Sequence, residues 1–320
     1  MLPVHRIVVP TPYPVGPVNA YLITARPYTL VDPGPDTEQA REVLREGVVR
    51  QGLQLEQIER VMLTHYHSDH SGLAQWVHEL SGAPVYLHPY ELPKLSGNYD
   101  FVSDRLPFVL EAGVPEEVIR LVTADRDRLP KPFVCGENVV TLLDGEELPF
   151  EGGSWQVLHL PGHAPGHLCF YDRQGGVLLS GDFLLPHITP NPMLEPDPEN
   201  PLRRNPSLTQ YLAGLERIKA MDIERVWPGH GESMADYRPV VAASQQHHRE
   251  RCDELTGLLR QNGEMTAFQL SRRLYPDLKG FNNFLGLSEV QAHLDVLESR
   301  GRVRGQKKAG VVYYRTAGDA

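Results

Sequence analysis

The run His65-Tyr66-His67-Ser68-Asp69-His70 constrains this chain more than any other stretch of it. Four potential metal donors fall within six residues, directly after the apolar segment Arg60-Val61-Met62-Leu63-Thr64. Imidazole nitrogen and carboxylate oxygen suit zinc, iron, manganese or cobalt. Buried together without a cation, the same side chains would need an array of hydrogen-bond partners. A strand that ends in a tight loop turns alternate side chains inward. His65 and His67 therefore read as chelators of one ion, and Asp69 and His70 as pointing toward a second.

Three later positions supply what those residues lack. His163 lies in Pro161-Gly162-His163-Ala164-Pro165-Gly166-His167, after the apolar segment 155–160. Asp182 follows the apolar run 177–180 and a glycine, and His230 stands in Pro228-Gly229-His230-Gly231 after 225–227. Each donor sits where the chain leaves a strand beside glycine or proline, so all can converge on one rim of a sheet. The gaps from His70 to His163, His163 to Asp182 and Asp182 to His230 are 93, 19 and 48 residues.

β-branched and aromatic runs predict strands at 18–23, 28–31, 60–64, 84–87, 139–143, 155–160, 168–171, 177–180 and 225–227. Helices are expected from an Asp36/Gln39 cap to about Gly52, over 71–80, around 115–121, and from a Ser207/Gln210 capping box to about Met221. Between 183 and 206 a loop with seven prolines is expected. One long helix should span 236–262 as a connection. Capping boxes at Thr266/Gln269 and Ser288/Gln291 then announce two helices, Gly301 ends the second, and 303–306 with 311–314 make a hairpin. Helix, helix, helix, hairpin resembles a winged helix-turn-helix. The expected division is a domain over 1–235, the connecting helix, and a small domain over 263–320.

Taken in order, HxHxDH, PGHxxGH, SGD and PGH make the chain similar to the metallo-β-lactamase superfamily over about residues 1–235. The resemblance implies an α/β fold, a four-layer αββα sandwich with a dinuclear centre at one edge. It implies that His65, His67 and His163 hold one ion, that Asp69, His70 and His230 hold the other, and that Asp182 bridges them. Zinc is the first expectation for the two divalent ions, with iron or manganese as alternatives. Antibiotic-degrading lactamases usually carry cysteine where this chain has Asp182, and the flavo-diiron relatives carry glutamate where it has His67. The C-terminal winged-helix arrangement, and the helix with His247-His248-Arg249-Glu250-Arg251, look like the branch called β-lactamase-like protein 2, whose studied members include endoribonucleases.

Two ions about 3.5–4 Å apart can share a water and lower its pKa towards 7. The expected activity is hydrolysis of an ester, thioester or phosphodiester, single-stranded RNA included, by a metal-bridged hydroxide, with Asp69 also able to take a proton. No G-x-S-x-G elbow offers a serine route. An iron-dependent sulfur dioxygenase and a metal- or DNA-binding regulator are the alternative classes. Asp32, in Asp32-Pro33-Gly34, reads equally as a residue orienting the metal loop and as a turn former. His167 reads as a structural hydrogen bond near the site, and His187 as a surface residue or part of a substrate entrance. His5, His78, His88, His159 and His293 have no partner at ligand spacing.

Charge divides the chain. Residues 1–250 hold 20 Lys+Arg against 33 Asp+Glu, a net of −13, while 251–320 hold 11 against 8, a net of +3. Arg300, Arg302, Arg304, Lys307, Lys308 and Arg315 on a wing could grip phosphates. A small-molecule (thio)ester and RNA are both open as substrates. Cys135, Cys169 and Cys252 form no CxxC pair or disulfide framework, which suits a reducing cytoplasm. No basic-then-apolar leader opens the chain, and no membrane-spanning run occurs in it.

Overall fold

The computed structural model describes residues 2–95, 99–124 and 138–318, with side chains omitted for 121–124. Cys135 lies outside the described residues. The chain divides into two compact units, both discontinuous in sequence. The first is built from Met1–Tyr99, Pro130–Pro190 and Gly214–Val241, and the second from Asp100–Leu129, Asn191–Ala213 and Ala242–Ala320.

In chain order the elements are β1 (Val4–Val9), β2 (Val18–Ile23), β3 (Thr29–Val31), α1 (Glu38–Arg50), β4 (Arg60–Met62), α2 (Ser68–Ser71), α3 (Ala74–Ser81) and β5 (Val85–Leu87). After a 3-10 turn over Pro89–Leu95 come α4 (Phe101–Glu111), α5 (Glu116–Ala124), β6 (Val139–Thr141), β7 (Glu147–Phe150), β8 (Gly153–His159), β9 (Leu168–Asp172) and β10 (Val177–Gly181). The chain continues through β11 (Pro196–Asp197), β12 (Asn200–Arg204), α6 (Ser207–Lys219), β13 (Arg225–Pro228), α7 (Arg238–Asn262), β14 (Met265–Thr266), α8 (Ala267–Leu274), α9 (Asn282–Ser299), β15 (Val303–Lys308) and β16 (Val311–Thr316).

The first unit is a sandwich of two sheets, ordered β1-β2-β3-β4-β5-β6 and β13-β10-β9-β8-β7. Strand β2 shows how the sequence builds it. All six of its residues are buried, because successive side chains point to opposite faces and both faces are covered. Val18, Ala20 and Leu22 join the core beneath α1 and α3 with Leu44, Val48 and Val77. Tyr21 and Ile23 point the other way, into the core between the sheets, with Trp155, Val157, Phe170 and Leu179. On the far side of the second sheet Arg217 ties α6 to Asp144 at 2.8 Å, and Tyr237 donates to the Ile218 carbonyl at 2.9 Å. This is the α/β sandwich of the expected family.

Strands β3 and β4 pair in parallel, as do β10 and β13. Parallel partners end on the same side, so Asp32 lies beside the loop after β4, and Asp182 beside His230. The sheets are stitched together at that rim. Leu168 donates its N–H to Thr64 O at 2.7 Å, and Asn19 to Gly229 O at 2.7 Å.

In the second unit, β14 joins the β15–β16 hairpin as a three-stranded sheet. Ala309 and Gly310, between paired Lys308 and Val311, both have positive φ, the backbone of a tight two-residue turn whose twist suits a hairpin. A buried ion pair, Arg105 to Glu195 at 2.8 Å, fixes the region preceding β11 against α4. Arg204 reaches Asp295 of α9 at 2.7 Å.

Several expected boundaries move. Thr37, not Asp36, caps α1 by accepting from Ala40 N, while Asp36 pairs with Arg41 at 2.7 Å. Helix α9 starts at Asn282 rather than Ser288, whose hydroxyl donates to the Phe284 carbonyl inside the helix. Mid-helix serine commonly bonds back one turn in this way, and the serine–glutamine spacing alone does not separate the two cases. Ser207 opens α6 as expected, but its hydroxyl donates to Met193 O at 2.9 Å instead of closing a capping box. The helix expected at 71–80 is α3, three residues later at its start and preceded by the single turn of α2, and the proline-rich stretch contains the β11–β12 ribbon. Among the described residues no helix is long and apolar enough to cross a membrane.

Candidate metal centre

All seven residues picked out by the motifs meet at the rim of the first unit. Their donor atoms fall into three overlapping groups, each within 4.8 Å: His65, His67 and His163; His65, His70 and Asp182; Asp69, His70 and His230. Short helix α2 explains the local arrangement. His67 is its N-terminal flanking residue, and Asp69 and His70 lie within its single turn. Gly229 allows the close approach of the last loop, for a Cβ there would stand 2.5 Å from Asp182 Oδ1 and 2.8 Å from His70 Cε1.

Hydrogen bonds fix which ring nitrogens face inward. Thr64 spends its hydroxyl proton on Asp32 Oδ2, at 2.7 Å. Its oxygen therefore accepts from His65 Nδ1 at 3.0 Å, and His65 Nε2 is left as a lone pair. That lone pair faces His67 Nδ1 at 2.9 Å, and His163 Nε2 faces the same atom at 3.0 Å. His67 Nδ1 carries at most one proton and cannot donate to both. A cation held by His65, His67 and His163 would satisfy all three nitrogens.

On the other side, His230 Nδ1 donates to Pro17 O at 2.8 Å and His70 Nδ1 to Asp32 Oδ2 at 2.8 Å. The Nε2 atoms of both rings, and Asp182 Oδ1, are buried without a well-formed hydrogen bond. His70 Nε2 stands 3.4 Å from Asp182 Oδ1 and 3.9 Å from Asp69 Oδ2. His230 Nε2 stands 3.4 Å from Asp69 Oδ2 and 3.7 Å from Asp182 Oδ1. His163 Nε2 lies 3.6 Å from Asp182 Oδ2. Two donors each about 2.1 Å from one tetrahedral ion stand about 3.4 Å apart, so these separations fit a pair of divalent ions with Asp182 between them.

The electrostatics agree. Burial, reinforced by neighbouring His70, His67 and His163, pushes His65 well below the usual histidine range. Burial also opposes charge on His70, but Asp182, Asp32 and Asp69 outweigh it and hold that ring well above the usual range. Burial would raise the Asp182 carboxyl, yet His70 and His230 hold it well below its ordinary value. Asp69 is lowered too, against its burial, by His70 and His230. The carboxylates are thus held ionised, and the positive charge that faces them is that of His70 and His230.

The remaining candidates find other places. Asp32 is buried and accepts from Thr64 N at 2.8 Å, besides the hydroxyl and His70, so it orients the metal loop as well as making the turn. His167 accepts from Asp182 N at 3.1 Å, the structural bond expected of it. His187 is exposed in the loop after Asp182. His5 and His78 have partners of their own in Thr24 and the Ala83 carbonyl. His88 and His159 stack with ring centroids 3.9 Å apart, and His293 meets His248 at 3.0 Å. Sequence reasoning missed Glu91, a fully buried carboxylate beside the centre, since nothing in its spacing marks it.

Residues 13–230 match the model of the metallo-beta-lactamase superfamily. The chain is similar to the probable metallo-hydrolase YqjP of Bacillus subtilis (strain 168), with 32% identity over 98% of both chains. A beta-lactamase-like protein 2 homolog of Caenorhabditis elegans shares 23% identity, over 92% of this chain and 83% of that one. A solved metallo-beta-lactamase family protein from Thermus thermophilus superposes with a TM-score of 0.83 at 30% identity, over 98% of each chain. The chain belongs to the metallo-beta-lactamase superfamily.

Proposed function

We propose that this chain is a metal-dependent hydrolase with two divalent ions, zinc by first expectation, acting on a small ester or thioester. His65, His67 and His163 would hold one ion and Asp69, His70 and His230 the other, with Asp182 between them. One observation carries the reading: His67 Nδ1 faces two further imidazole nitrogens at 2.9 and 3.0 Å, an arrangement that a single proton cannot satisfy. Divalent ions bound there supply Lewis acidity to a carbonyl or phosphoryl oxygen and acidify water toward neutral pH.

The chain's own residues prepare that chemistry. Asp32 and the Pro17 carbonyl hold protons on the outer nitrogens of His70 and His230, so both present Nε2 to the centre. Asp69, with its side chain 14% exposed, is the carboxylate best placed to accept a proton from an attacking water. The long apolar core between the sheets keeps the donors on a rigid rim.

The small carbonyl substrate is favoured over RNA by the state of the wing. In the second unit Lys307 pairs with Glu111, Lys308 with Glu264, and Arg302 with Asp253. At least half of the basic residues that could grip phosphates are thereby paired with carboxylates of their own unit. The helices α7, α8 and α9 and the hairpin fit a winged-helix module used for packing rather than for a polyanion. A cytoplasmic setting suits the buried free thiols of Cys169 and Cys252.

Metal analysis joined to a substrate panel tests this reading. Purified chain should carry about two divalent ions, cleave a thioester or lactone, and leave single-stranded RNA intact. Asp182→Ala should lower both metal content and turnover while the fold is retained. Unchanged turnover in that variant, or RNA cleavage in place of ester cleavage, would overturn the proposal.

A further inference from the structure

Glu91 belongs to none of the motifs, yet it sits between two of them. It lies in the 3-10 turn Pro89–Leu95, after β5, and is fully buried. Its two carboxylate oxygens reach different loops. Oε2 accepts from Tyr66 N at 3.0 Å, the amide between His65 and His67. Oε1 accepts from Gly166 N at 2.6 Å, in the loop that carries His163. The loop around Gly166 is tied within itself, since Leu160 N donates to His167 O and His167 N to Ala164 O. A displacement of Gly166 therefore carries His163 with it.

The surroundings are adapted to this carboxylate. Gly166 has no side chain where one would collide, for a Cβ there would stand 2.5 Å from Glu91 Oε1 and 2.7 Å from its Cγ. Lys94 Nζ lies 3.9 Å from Oε1 and 4.3 Å from the centre of the Tyr66 ring, so a buried negative charge is matched by a buried positive one. An acid is seldom this deeply buried without such matching, and hydrogen bonds from backbone amides to a carboxylate are stronger and more directional than neutral ones.

We infer that Glu91 is the positioning residue of the centre, a clamp that sets the distance between the His65/His67 loop and the His163 loop and so the affinity of the ion those three histidines share. The inference rests on the two-ion reading above and deepens it, naming the residue that makes the first site tight. Glu91 belongs to none of the groups of side chains able to hold an ion. Its effect passes through two backbone amides.

The probe is zinc itself, titrated into metal-free full-length chain against a chromophoric chelator, with cobalt(II) absorption as the reporter of ligand geometry. Glu91→Gln keeps the shape, but its amide nitrogen cannot accept from one of the two N–H groups. Zinc affinity at one of the two sites should fall about 10–100-fold, the range found for residues that orient metal ligands, with an altered cobalt spectrum and two ions still bound at saturation. Gly166→Ala displaces the same carboxylate from the opposite side, and should weaken the same site. It decides the matter if Glu91→Gln does not fold. Wild-type affinity and cobalt spectrum in these variants, with only the thermal midpoint lowered, would make Glu91 a plain structural acid and overturn the inference alone. Wild-type chain that takes up no zinc overturns both this inference and the two-ion reading.

Discussion

Asp32 adopts φ 49°, a backbone region that non-glycine residues enter at a cost of about 1–3 kcal/mol. Three hydrogen bonds, from Thr64 N, Thr64 Oγ1 and His70 Nδ1, hold it there. Strain at this residue is thus tied to the orientation of the His70 imidazole at the candidate centre. Asp32→Asn keeps the shape and removes the charge and one acceptor. Zinc affinity measured by chelator competition should fall about 10–100-fold in this variant, and unchanged affinity would reduce Asp32 to a turn former. The seven rim residues were legible in the sequence because four donors crowd into six positions after a strand, and each of the other three stands beside a glycine at a strand end. Asp32 was ambiguous because Asp-Pro-Gly serves turns equally well, and only a partner 32 residues away separates the readings. Glu91 left no trace, since a lone acid after a histidine and a proline has no periodic or motif context.

At the scale of elements, α7 and α9 are joined by a buried polar chain within the second unit. His293 Nδ1 donates to the Glu289 carbonyl at 2.6 Å, so its Nε2 accepts from His248 Nδ1 at 3.0 Å. His247 meets the Glu289 carboxylate at 3.2 Å. Burial, with the nearby His293, pushes His248 down to about 3, against about 6.5 for an unfolded histidine. Between those values the unfolded chain binds the proton and the folded chain does not. The stability from this neutral ring is therefore complete above about pH 6.5 and is lost as pH falls toward 3, with a slope of up to about 1.4 kcal/mol per pH unit. Urea unfolding from pH 7 to 4 should show a shallower decline in His248→Gln than in wild type, and equal slopes would mean the ring is not buried neutral. The helices themselves were read from caps with mixed success. Thr266 does close a box with Gln269, whereas the Ser288 spacing fell inside α9, because the turn Lys279-Gly280-Phe281 already starts that helix.

For the whole molecule, the sandwich follows from alternation along strands such as β2, which buries one set of side chains under helices and the other between sheets. The family resemblance supplied the pairing of the two sheets. Periodicity alone did not, because sheet order is set by contacts far apart in sequence. Ions that bind the folded chain and not the unfolded one stabilise it by about 2.7 kcal/mol at a hundredfold excess over their dissociation constant. A thermal melt with excess zinc should therefore run several degrees above one with a strong chelator. Coincident melts would show that the rim holds no ion in the folded state.

The rim stitches, Leu168 to Thr64 and Asn19 to Gly229, close the seam between the two sheets beside the candidate centre. His65, His67, Asp69 and His70 hang from one sheet, while His163, Asp182 and His230 hang from the other, so ions bound at the proposed centre would rivet the two halves of the sandwich. Amide hydrogens at Asn19 and Leu168 should exchange with deuterated solvent only through opening of that seam. Loading zinc should slow them far more than amides at the opposite ends of the same strands, which makes the exchange rate at those two positions a gauge of whether the sandwich is shut.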